Sequence, residues 1–188
     1  MSNLAQKLDD AEATGFQGNY IEPGLHLLEV DRIIERNGYK GHSVVAEFLV
    51  VKSSNPDHVP GEKVSDVHKI NKAIQVGNLK AFVLKLFEEA GVLEDYQEAE
   101  KDQRLQMIEA VYDGDGTQFQ GFQVFCEAVP TVTKKGNDFT RLNYDVYDPD
   151  RHDERIQKST EAREALAEEE LEDEEESDGG LDMNLPNS

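Results

Sequence analysis

Residues 43–52, reading Ser-Val-Val-Ala-Glu-Phe-Leu-Val-Val-Lys, constrain this chain more than any other segment. Four of the ten are valine, whose branched Cβ crowds a helix and suits the pleated surface of a sheet. The run is too short for the roughly 20 apolar residues of a membrane-spanning helix. It therefore predicts a central β-strand covered on both faces, and such a strand needs partners on either side.

Those partners are legible in the flanking sequence. Pro23-Gly24 marks a turn, and Leu25, Leu27, Leu28, Val30, Ile33 and Ile34 follow as a first strand. Asn37-Gly38 is a hairpin signal, because both central residues of a type I′ turn need positive φ. After the turn signals at 53–56 and 60–61, residues 62–70 alternate as a third strand. Val64, Asp66, His68 and Ile70 lie on one face of it, with Lys63, Ser65, Val67 and Lys69 on the other.

The period then changes. Leu79, Phe82, Val83, Leu86, Phe87 and Ala90 recur at helical spacing, with Asn78 as N-cap and Gly91 as the stop. Leu105, Ile108 and Val111 predict a second helix over 97–112, and Asp113-Gly114-Asp115-Gly116 a turn. Two last strands, 119–129 and 139–147, flank a loop containing Lys134-Lys135-Gly136-Asn137. The resulting β-β-β-α-β-β order predicts a mainly β domain, an OB-like five-stranded antiparallel barrel or sheet with a helical insertion. Residues 1–18 are expected to be a flexible lead-in, 19–150 the domain with its helical part at 76–112, and 151–188 an acidic, largely disordered tail.

Charge supports that division. The net charge of −21 arises from 40 acidic and 19 basic side chains among 188 residues. Residues 151–188 hold 14 acidic and 4 basic, a net of −10. Residues 88–115 carry a further −8, whereas residues 24–87, which contain the first three strands, sum to +2. Helix formers are present after Arg151, but little there asks to be buried, and repulsion within 168–176 is expected to keep the tail extended.

Several kinds of chemistry are not expected. Cys126, the single cysteine, precludes an intrachain disulfide and a multi-cysteine zinc site, and its place in a strand predicts a small buried residue. The segment beginning at Asp113 lacks the glycine and the final glutamate of a calcium loop, having Gln118 and Val124 at those positions. The five histidines show no metal-ligand spacing, and no phosphate-binding glycine loop or catalytic motif is found, so the chain is read as a non-enzyme without cofactor or metal. The absence of a signal segment or long apolar run points to the cytoplasm, without membrane association.

Three segments carry a family resemblance: Tyr20-Ile21-Glu22-Pro23-Gly24, the strand from Ala46 through Ser54, and Thr133-Lys134-Lys135-Gly136-Asn137-Asp138-Phe139-Thr140. With the acidic tail they resemble the plan of single-stranded DNA-binding proteins of bacterial viruses, which implies an OB core, a role in replication and recombination, and the host cytoplasm as location. The aromatic residue that often ends such tails is replaced here by Leu185-Pro186-Asn187-Ser188, and the acidic insertion at 88–115 lies outside the minimal plan, as a surface for dimerisation or a partner.

A strand binder needs cations for phosphates and rings for bases. The candidates are Tyr39 and Lys40 in the first hairpin, Phe48 and Lys52 on the second strand, Lys63, Lys69 and Lys72 on and after the third, and Lys134, Lys135, Phe139 and Arg141 in the last hairpin. The tail residues Glu168, Glu169, Glu170, Glu172, Asp173, Glu174, Glu175 and Glu176 are expected to imitate the DNA backbone and to recruit replication proteins. The competing expectation is an acidic protein-binding module, or a DNA mimic that binds no DNA itself; a virion structural protein is a third.

Overall fold

The computed structural model describes residues 20–38, 41–132 and 138–178. The order of elements is β1 (Gly24–Gly38), β2 (Gly41–Ser53), β3 (Lys63–Lys69), α1 (Ala73–Glu89), α2 (Leu93–Glu98), α3 (Lys101–Ala110), β4 (Gln123–Val132), β5 (Asp138–Val146) and α4 (Pro149–Asp178). All five strands lie in one sheet in the order β3-β2-β1-β4-β5, with every neighbouring pair antiparallel. β1, β2 and β3 follow one another as hairpins, and the chain returns through α1–α3 to lay β4 beside β1, which is a Greek-key path. β3 and β5 are the two edges. Among the described residues no backbone ladder joins them, so the sheet is open there and the barrel is not closed.

The sheet is covered on both faces. Leu28, Val30 and Ile33 of β1, Val44, Ala46, Phe48 and Val50 of β2, and Val124, Cys126 and Ala128 of β4 pack against Phe82, Val83, Leu86 and Phe87 of α1 in the main core. Leu27 of β1 and Phe125 of β4, each one step out of phase, point the other way and meet Ile156 of α4. Cys126 is fully buried, and burial pushes its thiol well above the usual range, so it is an inert core residue.

Two irregularities in the β1–β2 ladder set which side chains face where. Val30 pairs with Phe48 and Arg32 with Glu47, leaving Asp31 as an extra residue on β1. Leu27 pairs with Lys52 and Leu28 with Val50, leaving Val51 as an extra residue on β2. Past that second irregularity the end of β2 turns toward α4: Val51 joins the smaller cluster, and Lys52 reaches Asp153.

The expected elements are found with four shifts. Asn37 and Gly38 are paired with His42 and Gly41 in the ladder, so residues 39–40 make the connection and Asn37-Gly38 is the last rung of β1. α1 begins at Ala73, five residues before Asn78; the chain turns out of β3 through a Lys72 N–H to Lys69 carbonyl bond, and the Gln75 side chain accepts from the Lys69 N–H. Its end is as expected, with Gly91 at φ +70. The acidic insertion is two short helices, α2 and α3, where one was expected.

The fourth shift is the largest. The segment expected to be extended and disordered from Arg151 is helical as far as Asp178. Asp148 caps it by accepting the Asp150 N–H, and Pro149 occupies the first helical position, where its missing N–H costs nothing. Ile156 and His152 are buried, and the His152 ring lies flat on Phe125 with centroids 4.0 Å apart. These contacts give the helix the apolar anchorage that the charge pattern concealed.

Candidate functional site

A groove of about 540 Å³ lies where the open edges of β3 and β5 approach each other. Its walls come from β3, from the first turns of α1, from β5 and from the segment at Tyr20, which makes a parallel bridge to Ser65. Tyr20 and Phe139 are 60% and 46% exposed, unusual for rings that do not complete a core. Arg141 lines the same groove and forms no ion pair among the described residues. Ile74, also strongly exposed, adds apolar surface to the α1 wall.

The floor is polar. Tyr144 of β5 donates its hydroxyl to Asp66 Oδ2 of β3 at 3.0 Å, the one side-chain hydrogen bond that spans the seam among the described residues. Burial, reinforced by the Asp66 charge, pushes the Tyr144 phenol well above its usual range, so it remains a donor. His68 Nε2 approaches the same carboxylate oxygen at 2.9 Å. The approach is misaligned, and that nitrogen is buried without a hydrogen bond. Behind this group, the Tyr144 ring packs on Phe48 and Phe82 at centroid distances of 6.0 and 4.7 Å.

The candidate residues sort differently from the expectation. Phe139 and Arg141 are brought together in the groove. Phe48 is fully buried beneath it, so it holds the groove's floor and has no face to offer a ligand. Its place on a nearly all-apolar strand gave it an inward position once the helices covered that face. Lys52 is on the far side of the sheet, bonded to Asp153 at 2.5 Å, because the Val51 irregularity redirects it. Lys63 pairs with Asp31 at 2.9 Å. Lys69 and Lys72 are exposed at the end of β3 and the start of α1. Tyr39, Lys40, Lys134 and Lys135 lie outside the described residues. Of the acidic residues at 168–176, Glu168 is exposed on α4, and the remainder continue its helical backbone.

Sequence reasoning missed Tyr20, Asp66 and Tyr144. Tyr20 was legible only as part of the entry segment that carries the resemblance. Asp66 sits on the apolar face of a strand, between Val64 and His68, and an acid in that position is a signal of a buried polar role.

A second polar cluster ties the chain's entry to the β2–β3 loop. His58 Nε2 accepts the Glu22 N–H at 2.9 Å, which leaves Nδ1 to donate to Glu62 at 3.0 Å. His26 donates from Nε2 to the Glu22 carbonyl at 2.9 Å, and its ring meets His58 edge-on at 5.4 Å. Burial, together with the nearby His58 and Arg163, lowers its pKa to about 4 despite the bond to the Glu22 carbonyl. Its hydrogen bonds are to the Glu22 carbonyl and to Ser53 and its ring contact is to His58, so the cluster is structural. Among the described residues no group of three or more acids, histidines or cysteines is placed to hold a metal. No helix among them is long and apolar enough to cross a membrane.

No protein family model matches this chain, and no curated protein matches it.

Proposed function

We propose that this chain binds single-stranded DNA through the β3–β5 groove, as an OB-like protein whose barrel is left open at that seam and whose acidic C-terminal segment competes with DNA and engages replication proteins. The observation that carries the proposal is the conjunction of two exposed rings, Tyr20 and Phe139, with a guanidinium, Arg141, that has no ion pair among the described residues, along one groove between sheet edges. A flexible strand offers flat bases and a phosphate every few ångströms, and rings beside a cation satisfy both. Partly open five-stranded Greek-key barrels bind oligonucleotides on the face of their second and third strands and in the adjoining loops, and β3 is one wall of this groove. A replication and recombination role, and the host cytoplasm as its location, follow from the resemblance in plan.

The excess of acid favours the rival reading, a mimic of DNA aimed at a basic protein. Fluorescence anisotropy separates the two. Labelled oligo-dT, duplex DNA and single-stranded RNA are titrated with the full chain and with a chain ending at Ala167, over a salt series. A preference for oligo-dT over duplex that weakens with salt, tightens on truncation and falls with Phe139→Ala supports strand binding. No binding by either form at low salt overturns it. Unchanged affinity after truncation removes the competing role of the tail.

A further inference from the structure

Resting on the strand-binding reading, we infer that the floor of the β3–β5 groove reads a base, and that the base it selects is guanine. The argument begins with the Asp66 carboxylate. A carboxylate is a poor choice for a surface that only attracts phosphates, because its charge repels them. Here it is held in the groove at a fixed position. Oδ2 is committed, accepting from Tyr144 and facing His68 Nε2, whereas Oδ1 receives no hydrogen bond from any described residue. The oriented acceptor that remains is suited to a base edge rich in donors.

The four bases differ in what they offer it. Guanine presents two adjacent donors, N1–H and the N2 amine, with the O6 acceptor beside them. Adenine and cytosine present one exocyclic amine next to a ring acceptor. Thymine presents a single N3–H between two carbonyls, which a carboxylate repels. The groove also supplies the complement to O6, since the Asn78 amide and the Arg141 guanidinium line it and neither has an ion pair or side-chain hydrogen bond among the described residues. Tyr20 and Phe139 supply faces for the base to stack upon. A pocket that leaves Asp66 unmatched when the wrong base enters pays in an unpaired, largely buried carboxylate oxygen, which discriminates better than apolar fit. Tyr144 is a positioning residue in this scheme: it fixes Asp66 from the opposite edge of the seam.

The test uses the full chain and a host oligonucleotide of 15 thymidines whose central position is dG, dA, dC or dT, with anisotropy measured at one moderate salt concentration. A single guanine in a thymine host avoids the self-association of guanine runs. The expected result is tighter binding of the dG oligonucleotide than of the all-dT one by about five- to tenfold, equivalent to the loss of one good hydrogen-bonded pair. In Asp66→Asn the dG preference, read as the ratio of dG to all-dT affinity within that variant, collapses to within about twofold. Thermal melting of the variant accompanies the titration, since Asp66 also receives Tyr144. If that variant does not fold, Asn78→Ala, at an exposed helical position, replaces it with the same expected loss of preference. Equal affinity for all four oligonucleotides in the unmodified chain overturns the inference and leaves strand binding standing. A preference for dT, or a dG preference unchanged in both variants, also overturns it. Failure to bind any of the four rejects strand binding itself, and the inference with it.

Discussion

At Gly116 a single hydrogen atom decides whether the chain can close. A Cβ at that position would lie 2.0 Å from the Ile33 carbonyl oxygen, and the backbone stands at φ +73. The same residue accepts the Ile33 N–H at 2.8 Å, so it cannot move away without breaking a bond to β1. Gly114, two residues earlier at φ +63, has open space where its Cβ would go. Gly116→Ala should therefore cost well over ~3 kcal/mol or prevent folding, while Gly114→Ala should cost only the left-handed strain of about 1 kcal/mol. Urea unfolding of the two variants makes the comparison, and equal losses would show that the approach to Ile33 relaxes freely. His26 makes a second residue-scale prediction. Its pKa falls from the ordinary 6.5 to about 4 in the folded chain. The unfolded chain thus takes up this proton first as pH drops. The stability it contributes is full above pH 6.5 and is lost between 6.5 and about 4, amounting to about 3 kcal/mol. Urea midpoints at pH 7, 5.5 and 4.5 should fall less steeply in His26→Gln than in the unmodified chain, and parallel curves would exclude the assignment.

At the scale of elements, α4 is two things joined end to end. Its first half is anchored: Asp153 takes Lys52 and the Tyr147 hydroxyl, Arg155 lies 5.0 Å over the Phe125 ring, Ile156 fills the smaller core, and Arg163 donates to the Pro23 carbonyl at 2.8 Å. Those contacts all precede Ala167. Ending the chain at Ala167 should leave the melting temperature within about 2 °C, whereas Ile156→Ala should lower it by roughly 5 to 8 °C, as expected for about 2 kcal/mol in a chain of this size. Differential scanning calorimetry reads both, and a large loss on ending at Ala167 would mean that the acidic half is also docked. The beginning of this helix was written in the sequence as Asp148-Pro149, a cap followed by proline, yet the acid beyond it masked the signal. Ion pairs such as Lys158 with Glu154, one turn apart, lie on the exposed face where solvent screens them, so they add little to the hold of this helix.

For the whole molecule the balance is between a small cationic surface and a large negative charge of −21. Arg141 is the groove's unpaired cation among the described residues, and Lys69 and Lys72 are exposed at the end of β3 and just before α1. A strand binder built this way neutralises only a few phosphates. The slope of log affinity against log salt should then be shallow, about −2 to −3 at some −0.7 per phosphate contact. Stacking would carry more of the affinity, so Phe139→Ala and Tyr20→Ala should each weaken binding by about 1 to 3 kcal/mol without steepening the slope. A steep slope, or indifference to both rings, would move the contact surface away from the groove.

The sequence by itself determined the elements and the order in which they come. The valine-rich, nearly continuous apolar run at 43–52, the helical spacing from Leu79 to Ala90 and the stop at Gly91 are local signals, set by steric preference and by which faces need burial. It also determined that Cys126 is a core residue, since it lies within the apolar run of a strand. What only the tertiary structure decided is which members of each pattern meet. Phe48 and Phe139 are both aromatic residues on strands, and nothing local tells that one faces α1 while the other borders an open edge. Lys52 leaves its expected face because of one extra residue in a ladder with β1, a property of the pairing and not of either strand. Asp66 and Tyr144 are separated by 78 positions, and they touch because β3 and β5 end on opposite sides of the same open sheet. Side-chain period is encoded locally, but the closing of a seam is a sum over every strand between its edges, and no segment of the chain carries that sum.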